Sequence, residues 1–187
     1  MSRGIIIFGA SGAGTTTIGK ALAEKSSFQH FDLDDYFWMW DTDVPYTVPR
    51  PRAERIAMLH SAIADCTYFV MSGSMNDWEE SFVPLFDMAV FVLTSTEIRI
   101  ERLHRREFLE FGDRILDGGD MYDNHRDFLD WAKSYDNGLP PQRCLNVHED
   151  WAKTLTCPVL RVDGAEDVGA NVEFISEQLS LISTTQI

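Results

Sequence analysis

A glycine-rich segment near the start of the chain has residue types suited to binding phosphate. It reads Gly9-Ala10-Ser11-Gly12-Ala13-Gly14-Thr15-Thr16, and Thr17 follows it. Glycines let the backbone curve around an anion with its N–H groups pointing inward, and a following helix adds about half a positive charge. The segment fits the nucleotide-binding pattern G-x-x-x-x-G-K-[ST] at every fixed position but one, and the hydroxyl of Thr16 is the expected ligand of Mg²⁺. We therefore expect Gly9 to Thr17 to bind a nucleotide; the alternative is a turn that only begins a helix.

The departure from the pattern lies at Thr15, where a lysine normally places its charge on the β- and γ-phosphates. Threonine offers only a hydroxyl in its place. Lys20, five residues further along the expected helix, lies on another face, and we expect it to be solvated. Either other cations reach the phosphates, or the site binds a nucleotide without transferring phosphate.

Four arginines cluster in a later segment with helical periodicity: Arg99, Arg102, Arg105 and Arg106. The first, second and fourth of these are spaced i, i+3 and i+7, which aligns them on one face. Local acids offer partial compensation, because Glu101 can pair with Arg105 and Glu110 with Arg106. We favour an anionic ligand, and we expect Arg102 and Arg106 to neutralise the charge that develops in phosphoryl transfer.

Three carboxylates follow a short apolar run that we predict to be a strand: Asp32, Asp34 and Asp35. Ligands of open α/β sheets bind at the carboxyl ends of the strands. We expect Asp32 to order Mg²⁺-bound water beside Thr16. Asp34, on the same side, is expected to accept a proton from a substrate hydroxyl. The alternative is an ordinary acidic turn, which is the role expected of Asp35.

Further residues could bind a phosphoryl acceptor. Arg52 or Arg55 could hold an acidic group on it, and the aromatic run 36–40 could wall its pocket. Gly73, in the sequence Ser72-Gly73-Ser74, allows a ligand to approach the backbone closely. The alternatives are a buried aromatic cluster with surface arginines, and a simple turn.

Apolar runs alternate with amphipathic segments along the chain. Strands are predicted at 5–8, 28–33, 68–71, 88–93 and 159–162, and helices at 15–25, 52–64, 76–85, 97–111 and 168–182. This alternation predicts a three-layer α/β/α sandwich with a mostly parallel sheet. The segment from Gly112 to Pro141 is rich in Asp and Gly and has one predicted helix at 125–135. We expect it to be an inserted, mobile subdomain.

Length and charge limit the classes of function. The chain has 187 residues, the size of one ordinary domain, and a formal charge of −14. Such acidity repels nucleic acids and anionic membranes, so neither is an expected partner. The cysteines at 66, 144 and 157 match no disulfide framework or metal spacing, and no apolar run reaches the ~18 residues of a membrane span. We expect a cytoplasmic protein, monomeric or homodimeric.

These motifs resemble those of the nucleotide-kinase-like P-loop phosphotransferases, the group of adenylate, cytidylate, shikimate and gluconate kinases. Gly9 to Thr17 is similar to their phosphate loop, and Phe31-Asp32-Leu33-Asp34 resembles the Asp-x-Asp of shikimate and gluconate kinases. The resemblance implies a five-stranded parallel sheet in the order 2-3-1-4-5, Mg-ATP as donor and a small-molecule acceptor.

The same resemblance implies roles for segments and residues. Asp34 would contact the acceptor hydroxyl, and Asp32 would lie on the metal side. Tyr68 to Ser74 would form a substrate-binding turn. The whole chain would be one kinase-like domain, with an acceptor-binding segment at about 34–66 and a lid at about 99–141 that begins near Arg102 to Arg106.

Three functions are compatible with these residues. The first is transfer of the γ-phosphoryl group of ATP to a small molecule such as a nucleotide, a nucleoside or a hydroxylated metabolite. The second is a non-catalytic nucleotide-binding module that reports nucleotide state through residues 112–141. The third is slow hydrolysis of the nucleotide, with water as acceptor.

Overall fold

A single parallel sheet forms the centre of the computed structural model, which describes residues 3–75, 77–140 and 142–185. Its strands are β1 (Arg3–Gly9), β2 (Gln29–Asp32), β3 (Tyr68–Ser72), β4 (Phe86–Leu93) and β5 (Val159–Asp163). They are hydrogen-bonded in the order β2-β3-β1-β4-β5, and every neighbouring pair is parallel. The predicted sandwich and strand order are confirmed.

Helices cover both faces of this sheet. They are α1 (Thr15–Ser26), α2 (Leu33–Phe37), α3 (Arg52–Ile63), α4 (Thr96–Phe111), α5 (Tyr122–Lys133), α6 (Leu145–Thr154) and α7 (Val168–Thr185). Successive side chains of β1 point to opposite faces, so Ile5 and Ile7 pack with α1 and α7, whereas Ile6 and Phe8 pack with α3 and α6. This two-sided burial explains why β1 is apolar at successive positions.

The strand register brings the candidate residues to one edge of the sheet. Ile7 of β1 lies opposite Ser72 of β3, and Ser72 lies opposite Asp32 of β2. The segment after Gly9, the acids from Asp32 onward and Gly73 therefore leave the sheet side by side. This is the edge at which open α/β sheets bind ligands.

The helix predicted at 76–85 is wrong. Asn76 lies outside the described residues, and the rest contains two short 3₁₀ turns, Glu79–Ser81 and Val83–Leu85. The helical periodicity came from Trp78 and Phe82, which are fully buried and pack edge to face. A proline at the start of the second turn cannot donate a helical hydrogen bond, so the segment does not continue as one helix.

The segment predicted as an insertion, 112–141, packs against α4. It contains α5 and two 3₁₀ turns, Gly112–Ile115 and Ser134–Asp136, while Pro141 lies outside the described residues. Helix α6 follows and was not predicted. Within the described ranges, every helix is too short or too polar to cross a lipid bilayer.

Candidate active site

The phosphate loop connects β1 to α1 with a backbone that requires glycine. Gly12 and Gly14 have φ angles of 79° and 105°. A Cβ on Gly12 would lie 2.6 Å from the carbonyl oxygen of Arg99, so α4 leaves no room for a side chain there. In the described structure, the first turn of α1 has no acidic residue and no side-chain cap. Its N–H groups are therefore available to an anion.

The three threonines lie at the start of α1. Thr15 and Thr16 are partly exposed, and Thr17 is exposed. Lys20 is exposed on the same helix, as expected of a solvated residue.

Two guanidinium groups contact the phosphate loop. Arg102 of α4 donates from Nη1 to the carbonyl oxygen of Ala13 at 3.4 Å. Arg143, just before α6, donates from Nη2 to the Oγ of Ser11. Positive charge thus reaches the loop from two elements that are distant in sequence.

Arg143 was missed by the sequence analysis. Its guanidinium lies over the Trp131 ring at 4.7 Å, and its Nε is buried with no hydrogen-bond partner among the described residues. Burial lowers the pKa of Arg143, whereas Asp34 and Tyr135 raise it. Its one signal in the sequence is a lone arginine between a double proline and an apolar stretch, with no partner at helical spacing.

The two acids of the Asp-x-Asp segment have different surroundings. Asp32 accepts a hydrogen bond on Oδ1 from the backbone N of Asp34 at 3.2 Å and caps α2. Asp34 is exposed to solvent as a residue, but many protein atoms surround its carboxyl group. This desolvation raises the pKa of Asp34, Asp32 raises it further, and Arg143 and Arg106 lower it. The carboxyl group of Asp34 is therefore within electrostatic range of both arginines.

Thr16 and Asp32 have oxygen donors of the kind that magnesium prefers. Among the described residues, no three His, Cys, Asp or Glu side chains converge as metal ligands. Magnesium does not need such a cage, because it is commonly held by one or two carboxylates, water and substrate phosphates. The Oδ2 of Asp32 and the hydroxyl of Thr16 are the candidate protein ligands.

The four arginines of α4 do not act as one group. Arg99 is fully buried, donates to the carbonyl oxygens of Thr94 and Ala132, and pairs with Asp136 at 3.2 Å. It holds α4 to the end of α5 and cannot reach a ligand, so its expected place on the anion-binding face is wrong. Arg102 and Arg106 are exposed.

Arg52 and Arg55, the arginines expected to hold the acceptor, differ in burial and in hydrogen bonding. Arg55 is 5% exposed, pairs with Asp77 at 3.2 Å and lies 4.5 Å over the Phe37 ring. Its Nε and Nη1 are buried with no hydrogen-bond partner in the described part of the chain. Arg52 is half-exposed and donates to the carbonyl oxygen of Asp77. Of the two, Arg55 has more unused hydrogen-bonding capacity.

Gly73 has a φ angle of 125° and donates its backbone N–H to the carbonyl oxygen of Ile7 at 3.0 Å. A Cβ at this position would lie 3.0 Å from the Cβ of Leu33. The glycine therefore lets β3 turn sharply beside α2, close to the candidate base.

A strap between α2 and α3 contributes a second residue that sequence reasoning missed. Trp38 pairs with Pro49 across the strap, and Tyr46 has an unusual φ angle of 60°. Burial raises the pKa of Tyr46 to about 12, with Glu110 and Asp34 adding to the rise and Arg106 opposing it. The phenol of Tyr46 is therefore neutral, and it is within electrostatic range of Asp34 and of Arg106 and Glu110 on α4.

A cavity of about 530 Å³ lies next to the phosphate loop at the ends of β4 and β5. It is lined by Ala10, Val92, Leu93, Thr94, Ser95, Tyr135, Asp136, Leu145, Arg161, Val162 and Asp163. Small-molecule pockets of proteins commonly measure roughly 300–1,000 Å³, and this volume lies within that range.

Known proteins similar to this chain fall into two sets. Residues 5–110 match the family described as AAA domain. Uncharacterized protein YqaC of Bacillus subtilis (strain 168) is 35% identical over 180 residues, which covers 96% of this chain and 99% of that protein.

The second set consists of solved structures. Shikimate kinase from Bacteroides thetaiotaomicron has a TM-score of 0.54 at 22% identity, and the match covers 96% of this chain and 98% of the kinase chain. Deoxyadenosine kinase from M. mycoides has a TM-score of 0.51 at 17% identity, and the match covers 95% of this chain and 98% of the kinase chain. At these identities the likeness shows the fold, which is that of the nucleotide-kinase-like P-loop proteins.

Proposed function

The chain belongs to the AAA-domain family and has a nucleotide-kinase-like P-loop fold, and on that basis we propose that it is an ATP-dependent phosphotransferase. It moves the γ-phosphoryl group of Mg-ATP to a hydroxyl or phosphate oxygen of a small-molecule acceptor. Structural neighbours that are kinases of shikimate and of deoxyadenosine support this reaction class.

The observation that carries the proposal is the position of Arg143. One guanidinium contacts Ser11 of the phosphate loop and is also within electrostatic range of Asp34. A phosphoryl group in transfer must lie between the donor phosphates and the acceptor base, and Arg143 spans these two places. A site that only stores a nucleotide needs no base there.

The proposed step is an in-line displacement. The acceptor oxygen forms a bond to the γ-phosphorus while the bond from that phosphorus to the β–γ bridging oxygen breaks, and ADP leaves. Asp34 takes the proton of the acceptor hydroxyl. Asp34 must be ionised to take this proton. Because its pKa is raised, its carboxylate is a stronger base than that of an ordinary aspartate.

Three arginines would stabilise the negative charge that develops on the transferred phosphoryl group. Arg102 and Arg143 contact the phosphate loop, and Arg106 is within electrostatic range of Asp34. Preorganised cations of this kind stabilise a transition state without solvent rearrangement. Bound magnesium, held by Thr16 and Asp32, would neutralise charge on the phosphate oxygens. The segment 99–141 would act as the lid.

The acceptor would be held on the other side of Asp34, in the segment 34–66. Two buried N–H-bearing atoms of Arg55 without described partners suit an acidic group on the acceptor. Arg52 and the backbone at Gly73 would line the same region. The cavity of about 530 Å³ would take the nucleoside of the donor.

The direct test is acceptor-dependent release of ADP. Nucleosides, nucleotides, sugars and hydroxy acids are screened with the wild-type protein, and Asp34→Asn is then assayed with the best acceptor. We expect Asp34→Asn to lower the transfer rate by roughly 10²–10⁴-fold while ATP binding changes little. Asp35→Asn, at an exposed acid next in the chain, is the matched control and should retain activity. Transfer at the wild-type rate by Asp34→Asn would contradict the proposal.

One observation favours the alternative of a non-catalytic or slowly hydrolysing module, namely Thr15 in place of the lysine. In that case ATP binds, no acceptor accelerates ADP release beyond the rate with water, and the screen distinguishes the two functions.

A further inference from the structure

A second cavity lies next to the region proposed to hold the acceptor. Its volume is about 220 Å³, and it is bounded by the loop after β3 and by one face of α6. Phe8, Met75, Val147 and Trp151 give it apolar walls. Ser74 and Glu79 are among its polar residues.

Two of these lining residues carry buried polar atoms that lack hydrogen bonds. The indole Nε1 of Trp151 and the Oε2 of Glu79 have no partner among residues 3–75, 77–140 and 142–185. Buried polar atoms are nearly always paired, and each exception calls for an explanation such as a ligand or a bound water. The two atoms are one donor and one carboxylate acceptor, and the residues that carry them both line this cavity.

The size of the cavity selects the class of occupant. A protein cavity of about 150 Å³ is large enough to bind benzene, so a volume of about 220 Å³ accommodates a six-membered ring with small substituents. The apolar walls suit the faces of such a ring. The indole N–H and the carboxylate suit an edge that carries an acceptor next to an N–H donor.

The cavity also adjoins the proposed acceptor site. Asp77 lines the cavity, and its carboxylate pairs with Arg55 at 3.2 Å. A molecule with an anionic group on Arg55 can therefore extend a ring past Asp77 into the cavity.

We propose that this cavity binds a small planar ring with a lactam- or amidine-type edge, and that this ring is part of the phosphoryl acceptor. The ring accepts a hydrogen bond from the indole N–H of Trp151 and donates one to the carboxylate of Glu79. The claim that the ring is part of the phosphoryl acceptor rests on the proposed phosphotransferase function. The claim that the cavity binds a ring does not.

The first experiment measures ring binding without a nucleotide. 2-Pyridone, cytosine and benzene are titrated against the wild-type protein by ligand-observed NMR. We expect 2-pyridone and cytosine to bind at least several-fold more tightly than benzene, which lacks the polar edge. Trp151→Phe, which keeps the ring face and removes the N–H, should weaken 2-pyridone by about tenfold. Glu79→Gln should also weaken it, whereas Glu80→Gln, at an exposed neighbour, should not.

Several results would overturn the proposal. Absence of binding by all three rings would mean that the cavity holds water only. Equal affinity for benzene and 2-pyridone, or unchanged affinity in both variants, would remove the role of the two polar atoms.

The second experiment uses the acceptor found in the screen for ADP release. Trp151→Phe should raise the KM of the acceptor and leave the KM of ATP unchanged. If rings bind but no acceptor is phosphorylated, the phosphotransferase function fails and the ring site remains. If an acceptor is phosphorylated and its KM is insensitive to Trp151→Phe, the ring site is not part of the acceptor site.

Discussion

At the scale of single residues, the site depends on how one arginine is coupled to one aspartate. Arg143 lowers the pKa of Asp34, which desolvation in the cleft and the neighbouring Asp32 raise. The balance sets how much of the base is ionised near neutral pH. Removing this cation leaves Arg106 as the one cation still lowering the pKa of Asp34.

Arg143→Met therefore predicts a shift of the acid limb of the pH–rate profile. The unpaired carboxylate of Asp34 becomes harder to ionise, so its pKa rises and the acid limb of kcat/KM moves to higher pH. Arg143→Lys keeps a positive charge and should leave the limb closer to that of the wild type. An acid limb at the wild-type position in Arg143→Met would show that Asp34 is not the titrating base or that Arg143 does not act on it.

Some residues of the candidate site could be predicted from the sequence, and others could not. Gly12 and Thr16 belong to a local pattern in which every residue type has a reason within a few positions. Arg143 and Tyr46 reach the site from separate loops, and only the folded chain brings them near Asp34. The prediction that Arg99 lies on the anion-binding face was wrong for a related reason. Helical spacing aligned Arg99 with Arg102, but the sequence does not show that Arg99 is buried against α5.

At the scale of elements, the buried Arg99 joins α4 to the turn after α5. Its three nitrogen atoms donate to two backbone carbonyl oxygens, to the hydroxyl of Thr96 and to the carboxylate of Asp136. These bonds hold the segment 112–136 against the helix that carries Arg102 and Arg106.

Arg99→Met should lower the free energy of unfolding by about 2–4 kcal/mol, because buried carbonyl oxygens lose their donor. Equilibrium unfolding in urea measures this loss. Arg105→Met, at an exposed arginine on the same helix, should change the free energy by less than about 0.5 kcal/mol. Equal losses in the two variants would mean that the contacts of Arg99 do not hold the segment.

Periodicity predicted most of the elements that pack on the sheet. The five strands and helices α1, α3, α4 and α7 lie where the pattern of apolar residues placed them, within a few residues at their ends. Helix α6 was missed because its apolar face mixes His148 and Trp151 with charged residues, and because double proline precedes it. His148 is buried against Phe8 and Tyr135 as a neutral ring, since burial lowers its pKa to about 3.

At the scale of the whole molecule, a strongly acidic protein has to attract a polyanion. The formal charge of −14 repels ATP at long range, so affinity must come from short-range contacts in the cleft. The amides of the phosphate loop, Arg102 and Arg143 provide them in the absence of a P-loop lysine.

Isothermal titration calorimetry with Mg-ATP tests this claim most directly. We predict saturable binding to one site of the wild-type protein, weakened at least about tenfold in the double variant Arg102→Met/Arg143→Met and unchanged in Arg105→Met. Absence of heat with folded wild-type protein, or equal affinity in the double variant, would contradict the claim that these two arginines replace the missing lysine at the phosphate loop.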